Sequence, residues 1–321
     1  MNKIGLAAAI IVAAAFAVPA PAQQGTNLSI VTGGTGGVYY PLGGGLANVL
    51  SKHVPGWQAT AEVTGGSVDN LKLIGTRKAD IAFTMVDASL DALRGEDKFK
   101  DNKVPHKALM VLYPNNMHVV TVDGTGIVKM ADLKGKRVST GSPGSATEVM
   151  AFRVIEAAGL DRDKDLKRER LGVAESVNAI KDKKIDAFFW VGGLPTAAVT
   201  DLGATPNTKI RLVDTNDLVT KMNEKYGPIY SAGTIAKAVY PGMEGDNKIA
   251  VVWNTLVAHE GMKDDVAYTI VKTIFDRKAD LVAVHAEAQN FRMENQAKAN
   301  ALIPYHPGAI KYFAEKGINL Q

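Results

Sequence analysis

Four times along this chain a run of β-type residues ends in a turn rich in glycine or serine. That alternation of strand, turn and helical pattern limits the fold more than any other feature, and it reads as α/β. Leu28 to Thr32 is a strand, and Gly33-Gly34-Thr35-Gly36-Gly37 turns the chain. Pro41 then opens a helix that places Leu42, Leu46, Val49 and Leu50 on one face. Gln58 to Val63 is a second strand, Ser67 caps a helix through Gly75, and Asp80 to Thr84 is a third strand. Further on come a strand over Arg137 to Thr140, a helix to Gly159, a strand around Phe188 and another over Ile210 to Val213. Asp264 to Lys298 carries a helical pattern.

One pattern returns. Leu73 to Phe83 parallels Ala179 to Phe189: a helix ends in basic residues, a short turn carries an Asp, and a strand ends in Phe. Two lobes of similar design follow if the match is more than a generic helix–turn–strand unit. The length of 321 residues suits two domains, each able to bury a core. Ala108 to Val122 is β-rich around Pro114-Asn115-Asn116, so it is expected to leave one lobe and enter the other. The expected division is 23–114 plus 233–321 for lobe one and 115–232 for lobe two. Two crossover strands would then leave a cleft with a hinge beneath it.

Composition narrows the class. With 46% hydrophobic and 22% charged residues the chain is globular rather than disordered. The absence of cysteine excludes disulfides, thiolate metal sites and thiol nucleophiles. The formal charge of +4 comes from interleaved signs, as in Asp161-Arg162-Asp163-Lys164-Asp165, so nucleic acid is not an expected partner. Lys3, the apolar stretch Ile4 to Val18 and the small-residue site Ala20-Pro21-Ala22 read as a cleaved signal peptide over 1–22. Without a cysteine for lipid attachment, the mature chain is expected free in a periplasm.

The turns hold the candidate site residues. Thr35, Gly36, Gly37, Tyr39 and Tyr40 lie in the first, where glycines bare the backbone and a helix start offers N–H groups to an anion. The second contributes Ser67 after Gly65-Gly66, as a helix cap, a ligand contact or both. In the third, Ser142, Gly144, Ser145, Ala146 and Thr147 follow a strand, and Ser145-x-x-Glu148 spells a capping box. Trp190, Gly192 and Gly193 end the fourth, with Trp190 as a wall of the site or part of the core. Asp87 is expected either to meet a ligand ammonium or to cap the helix to Leu93.

Catalytic spellings fail in turn. Tyr39 stands where a dinucleotide fingerprint needs glycine, and Gly135-Lys136 lacks the rest of a phosphate loop. No Gly-x-Ser-x-Gly elbow occurs, and Lys263 stands where a zinc protease has its second histidine. No cofactor is expected. Turns without a nucleophile describe binding rather than turnover.

The same segments carry a resemblance. The stretches Gly33 to Gly44, Gly65 to Leu71, Ala79 to Thr84, Gly141 to Ser145, Asp186 to Pro195 and Val252 to Ala258 together resemble the TAXI family, the extracytoplasmic solute receptors of TRAP transporters. The resemblance implies a two-lobed periplasmic binding protein of type II-like plan, each lobe a mixed sheet flanked by helices. It implies delivery of glutamate, a glutamine-like amino acid or a dicarboxylate such as 2-oxoglutarate to an ion-gradient-driven permease. One departure stands out: Met85-Val86 precedes Asp87 where such receptors often have Gln-Ser. A sensor module of a signalling system and a periplasmic enzyme on the same plan are the alternatives.

Overall fold

A computed structural model describes residues 25–320, and the expected signal peptide lies outside the described residues. The chain runs β1 (Thr26–Val31), α1 (Tyr39–His53), β2 (Trp57–Glu62), α2 (Ser67–Gly75), β3 (Ile81–Met85) and α3 (Val86–Arg94). A long β4 (His106–Val122) leads to β5 (Arg137–Ser139), α4 (Ala146–Ala157), β6 (Lys167–Glu169), α5 (Val173–Lys181) and β7 (Ala187–Gly192). Next come α6 (Ala197–Gly203), β8 (Ile210–Leu212), α7 (Val219–Tyr226), β9 (Ser231–Ile235) and a second long strand, β10 (Asn247–His259). The chain ends with α8 (Asp264–Asp276), α9 (Lys278–Val284), α10 (Lys298–Ala301) and α11 (Pro307–Glu315). The helical pattern expected to Lys298 thus breaks after Val284 into short 3₁₀ turns.

The strands order as β2-β1-β3-β10-β4-β7-β5-β6, with β8 on β4 and β9 on β10. Two parallel triplets, β2-β1-β3 and β6-β5-β7, therefore flank the pair of long antiparallel strands. Each triplet is a β-α-β-α-β unit, so the fold consists of two like halves. All of β3 and most of β7 are buried, which is why both read as continuous apolar runs rather than alternating ones.

The repeat seen in the sequence is repeated atom for atom in the backbone. Arg77 and Lys183 both take positive φ, 55° and 57°, at the same step past their helices. Lys78 N donates to Leu73 O and Lys184 N to Ala179 O, closing the two helices alike. The turn acids then do the same work. Asp80 Oδ2 accepts from Ser29 N, and Asp186 Oδ2 accepts from Arg137 N, each at 2.8 Å. Both pin the following strand beside its parallel neighbour.

The long strands change partners along their length. β4 pairs with β10 up to Asn116 and with β7 from there to Thr121. β10 pairs with β9 through Asn247–Val251 and with β3 through Asn254–Val257. Its ladder to β4 is irregular between Trp253 and Thr255, beside the Trp253–Pro114 pairing. A proline has no N–H to give to a ladder, which accounts for the break there. A second apolar cluster, including Val177, Phe188, Val199 and Ile249, packs one face of the second half apart from the main core. Among the described residues no helix is long and apolar enough to cross a membrane.

Candidate functional site

In a parallel β-α-β-α-β unit, ligands gather outside the carboxyl ends of the strands. Here the loops after β1, β2, β5 and β6 face one another across a cavity of about 280 Å³. Two of the four come from each half. The loop at 33–39 corresponds to that at 141–147, and the loop at 63–67 to that at 171–175. Met85 at the end of β3, the end of β7 and two residues of β4, Tyr113 and Asn115, complete the lining.

Each loop opens a helix, and the first N–H groups of an α-helix have no partner within it. Four helix starts, those of α1, α2, α4 and α5, thus bring amide donors and positive dipole ends to one space. Among the lining residues only Glu175 carries a charge, and it is exposed. The wall is otherwise mostly apolar, with Tyr39, Tyr113 and Trp190 as its aromatic members.

The halves touch over this space. Ser142 Oγ donates to Gly65 O at 2.9 Å, and Asp69 N donates to Gly144 O at 3.1 Å. Trp190 Nε1 donates to Thr196 Oγ1 at 2.9 Å, which holds the indole against Gly37. A Cβ at Gly37 would lie 2.8 Å from that ring, so only glycine lets the first loop approach it. Gly66, at φ 121°, is the cap position of α2.

A neutral hydrogen-bonded network forms the floor. Tyr39 donates its hydroxyl to Asn254 Oδ1, and Asn115 Nδ2 donates to the same oxygen at 2.6 Å. Burial holds the Tyr39 pKa well above the usual tyrosine range, so this hydroxyl keeps its proton. Ser67 Oγ accepts from Met85 N at 3.2 Å, tying α2 to the end of β3.

Of the residues expected at the site, Gly37, Tyr39, Ser67, Ser142, Ser145, Ala146, Thr147, Trp190 and Gly192 line the cavity. Six do not. Thr35 and Tyr40 point to solvent. Gly36 faces Ala174 and Ala198 of the opposite half, and Gly144 lies against the Asp69 carboxylate. Gly193 lies behind the wall, against Glu287 and the Tyr113 ring. Asp87 is buried behind the cavity, where Tyr230 donates to its Oδ2 at 2.9 Å and Ala88 N to its Oδ1 at 2.8 Å. It neither faces the cavity nor caps its helix, since the cap position is Met85.

Two local readings also change. Ser67 is the first residue of α2 rather than its cap. Only half of the box at Ser145 forms: Glu148 N donates to Ser145 Oγ at 3.1 Å, but the Glu148 carboxylate turns away to Arg170 and Lys98. The buried acid finds more in those cations than in one backbone N–H.

The loop at 171–175 was missed because it holds a single glycine, Gly172. Its place in the internal repeat was the available signal. Asn115 was visible only within the strand break Pro114-Asn115-Asn116, where nothing distinguishes a hinge from a ligand contact, and Tyr113 only as a residue of the β-rich run.

Three solved structures are similar to this chain. The binding-protein component of a phosphonate ABC transporter from Pseudomonas aeruginosa aligns with a TM-score of 0.52 at 11% identity, over 84% of this chain and 80% of that one. A putative L-cystine ABC transporter protein from Listeria monocytogenes gives 0.49 at 16% identity, over 83% and 95%. The periplasmic aliphatic sulphonate binding protein SsuA from Escherichia coli gives 0.45 at 14%, over 83% and 80%. At 11% identity the first of these speaks to the fold alone. A family model covers nearly all of the described chain, residues 30–317, and by that match the protein belongs to the NMT1-like family.

Proposed function

We propose that this protein is the extracytoplasmic solute receptor of a transporter, capturing a small carboxylate between two lobes and releasing it to a membrane permease. The observation that carries this reading is the meeting of four equivalent strand-to-helix loops, two from each half, around one cavity. With no lysine, arginine or histidine in the lining, a carboxylate there would be held by helix-start amides and hydroxyls. The volume of about 280 Å³ lies at the small end of ligand sites, suited to an amino acid or a short dicarboxylate. Glutamate, a glutamine-like amino acid and 2-oxoglutarate are the ligands proposed.

The lobes that move are 23–114 with 233–321 and 115–232, hinged where β4 and β10 change partners. Closure would exclude water and strengthen each hydrogen bond to the ligand. The resemblance to TAXI receptors favours a TRAP-type permease driven by an ion gradient, and a periplasmic location after loss of the leader. Mass spectrometry of the co-purified small molecule, followed by calorimetry, is the test. Micromolar or tighter binding of one of these carboxylates is expected, and no heat with any of them removes the reading. Uptake into vesicles bearing the cognate permease on a sodium gradient, without ATP, tests the transporter class.

A further inference from the structure

Because the two halves repeat one another, they place an acid at the same step of two equivalent helices. Gly66 is the cap position of α2 and Gly172 that of α5, and the third helical residue is Asp69 in one and Glu175 in the other. A negative charge there suits the positive end of a helix, which alone would account for both. Their surroundings differ. An added Cβ would meet the Asp69 carboxylate at 2.4 Å from Gly65 and at 2.3 Å from Gly144, so this acid is wedged between loops of the two halves, outside the lining. Glu175 is exposed, and its Oε2 lies 2.4 Å from where a Cβ of Gly172 would stand, so the carboxylate folds back onto its own loop. Gly172 and Glu175 both line the cavity. Among the described residues the Glu175 carboxylate has no hydrogen-bond or ion-pair partner, and no cation shares the lining. One unpaired negative charge thus borders a space otherwise faced by the positive ends of four helices.

We propose that Glu175 selects the solute by charge: its carboxylate pairs with a ligand ammonium while helix-start amides hold a ligand carboxylate, so that amino acids are taken in preference to dicarboxylates that lack an amine. This deepens the receptor reading above and rests on it. A cavity of about 280 Å³ is small against the screening length of about 8 Å in physiological salt, so Glu175 acts on a ligand charge anywhere within it. A dianion without an amine meets repulsion there, whereas an ammonium turns the same charge into an attraction. Glu175 thus takes the ammonium contact that the sequence offered to Asp87.

Calorimetry with glutamate, glutamine and 2-oxoglutarate tests this on the wild type and on Glu175→Gln, which keeps the volume of the side chain and removes its charge. Glutamate and 2-oxoglutarate differ only in an ammonium against a keto oxygen. The tighter-binding of the two amino acids should bind the wild type at least about tenfold more tightly than 2-oxoglutarate. In Glu175→Gln that amino acid should lose about fivefold or more, and the gap to 2-oxoglutarate should shrink accordingly. Equal or tighter binding of 2-oxoglutarate by the wild type overturns the inference. An unchanged gap in the variant does so too, whether all ligands weaken alike, as a merely structural acid would have it, or none does. Should the variant not fold, the wild-type comparison decides alone. Silence with all three compounds fells the receptor reading itself, and this inference with it.

Discussion

Two polar clusters of this molecule are built on opposite terms. Behind the cavity, Arg153 of α4 donates to Asp91 Oδ2 of α3 at 2.5 Å and to the Tyr230 hydroxyl at 2.9 Å. Tyr230 in turn donates its hydroxyl to Asp87 Oδ2 at 2.9 Å. The cluster is charged and buried, with each of these side chains bonded. At the cavity floor Tyr39, Tyr113, Asn115 and Asn254 are neutral, and two of their polar atoms are left without partners. A buried charge is tolerated only when its partners are already in place, whereas an unpaired neutral atom costs less. The acidic residue that looked like a ligand contact belongs to the structural cluster.

The comparison can be broken most directly at Arg153. Arg153→Leu leaves two buried carboxylates without their cation and should cost about 3–5 kcal/mol in urea unfolding. A loss below about 1 kcal/mol would show that the cluster does not hold α3 to α4.

A matched pair of hydroxyl deletions sharpens the contrast. Tyr230→Phe takes partners from Arg153 and Asp87 and should destabilise by about 1–3 kcal/mol. Tyr113→Phe removes a hydroxyl that bonds nothing, so the ligand-free protein should keep its stability within about 0.5 kcal/mol. Equal losses in the two would erase the distinction between the clusters.

A further expectation concerns pH. Burial raises the Asp91 carboxyl, Arg153 opposes this, and nearby Asp87 and Asp97 add to the rise, leaving its pKa at about 7. The folded state therefore holds a proton that the unfolded chain has released between about pH 4 and 7. This contribution is full below the unfolded value and is lost as pH rises toward 7. Denaturation across that interval should show the wild type losing stability relative to Asp91→Asn as pH increases; a flat difference would contradict the shift.

The strand-and-helix order was legible because parallel strands buried on both faces leave apolar runs, and because helix starts carry glycine or serine. Even the half-repeat was visible, since Asp80 and Asp186 have the same task of holding a neighbouring strand. What stayed hidden were directions rather than elements. Gly36 and Gly37 are adjacent and equally glycine, yet one packs on the opposite half and the other borders the cavity. Glu148 had a local partner in its own helix cap and took distant arginines instead. Tertiary contacts of this kind have no periodicity to announce them.

Of the three tryptophans, 57, 190 and 253, only Trp190 borders the cavity, where it rests flush on Gly37. On the proposed opening, separation of the halves would lift that indole away from the glycine and wet it. If the halves move as proposed, intrinsic emission serves as an optical gauge of opening and filling without an attached dye.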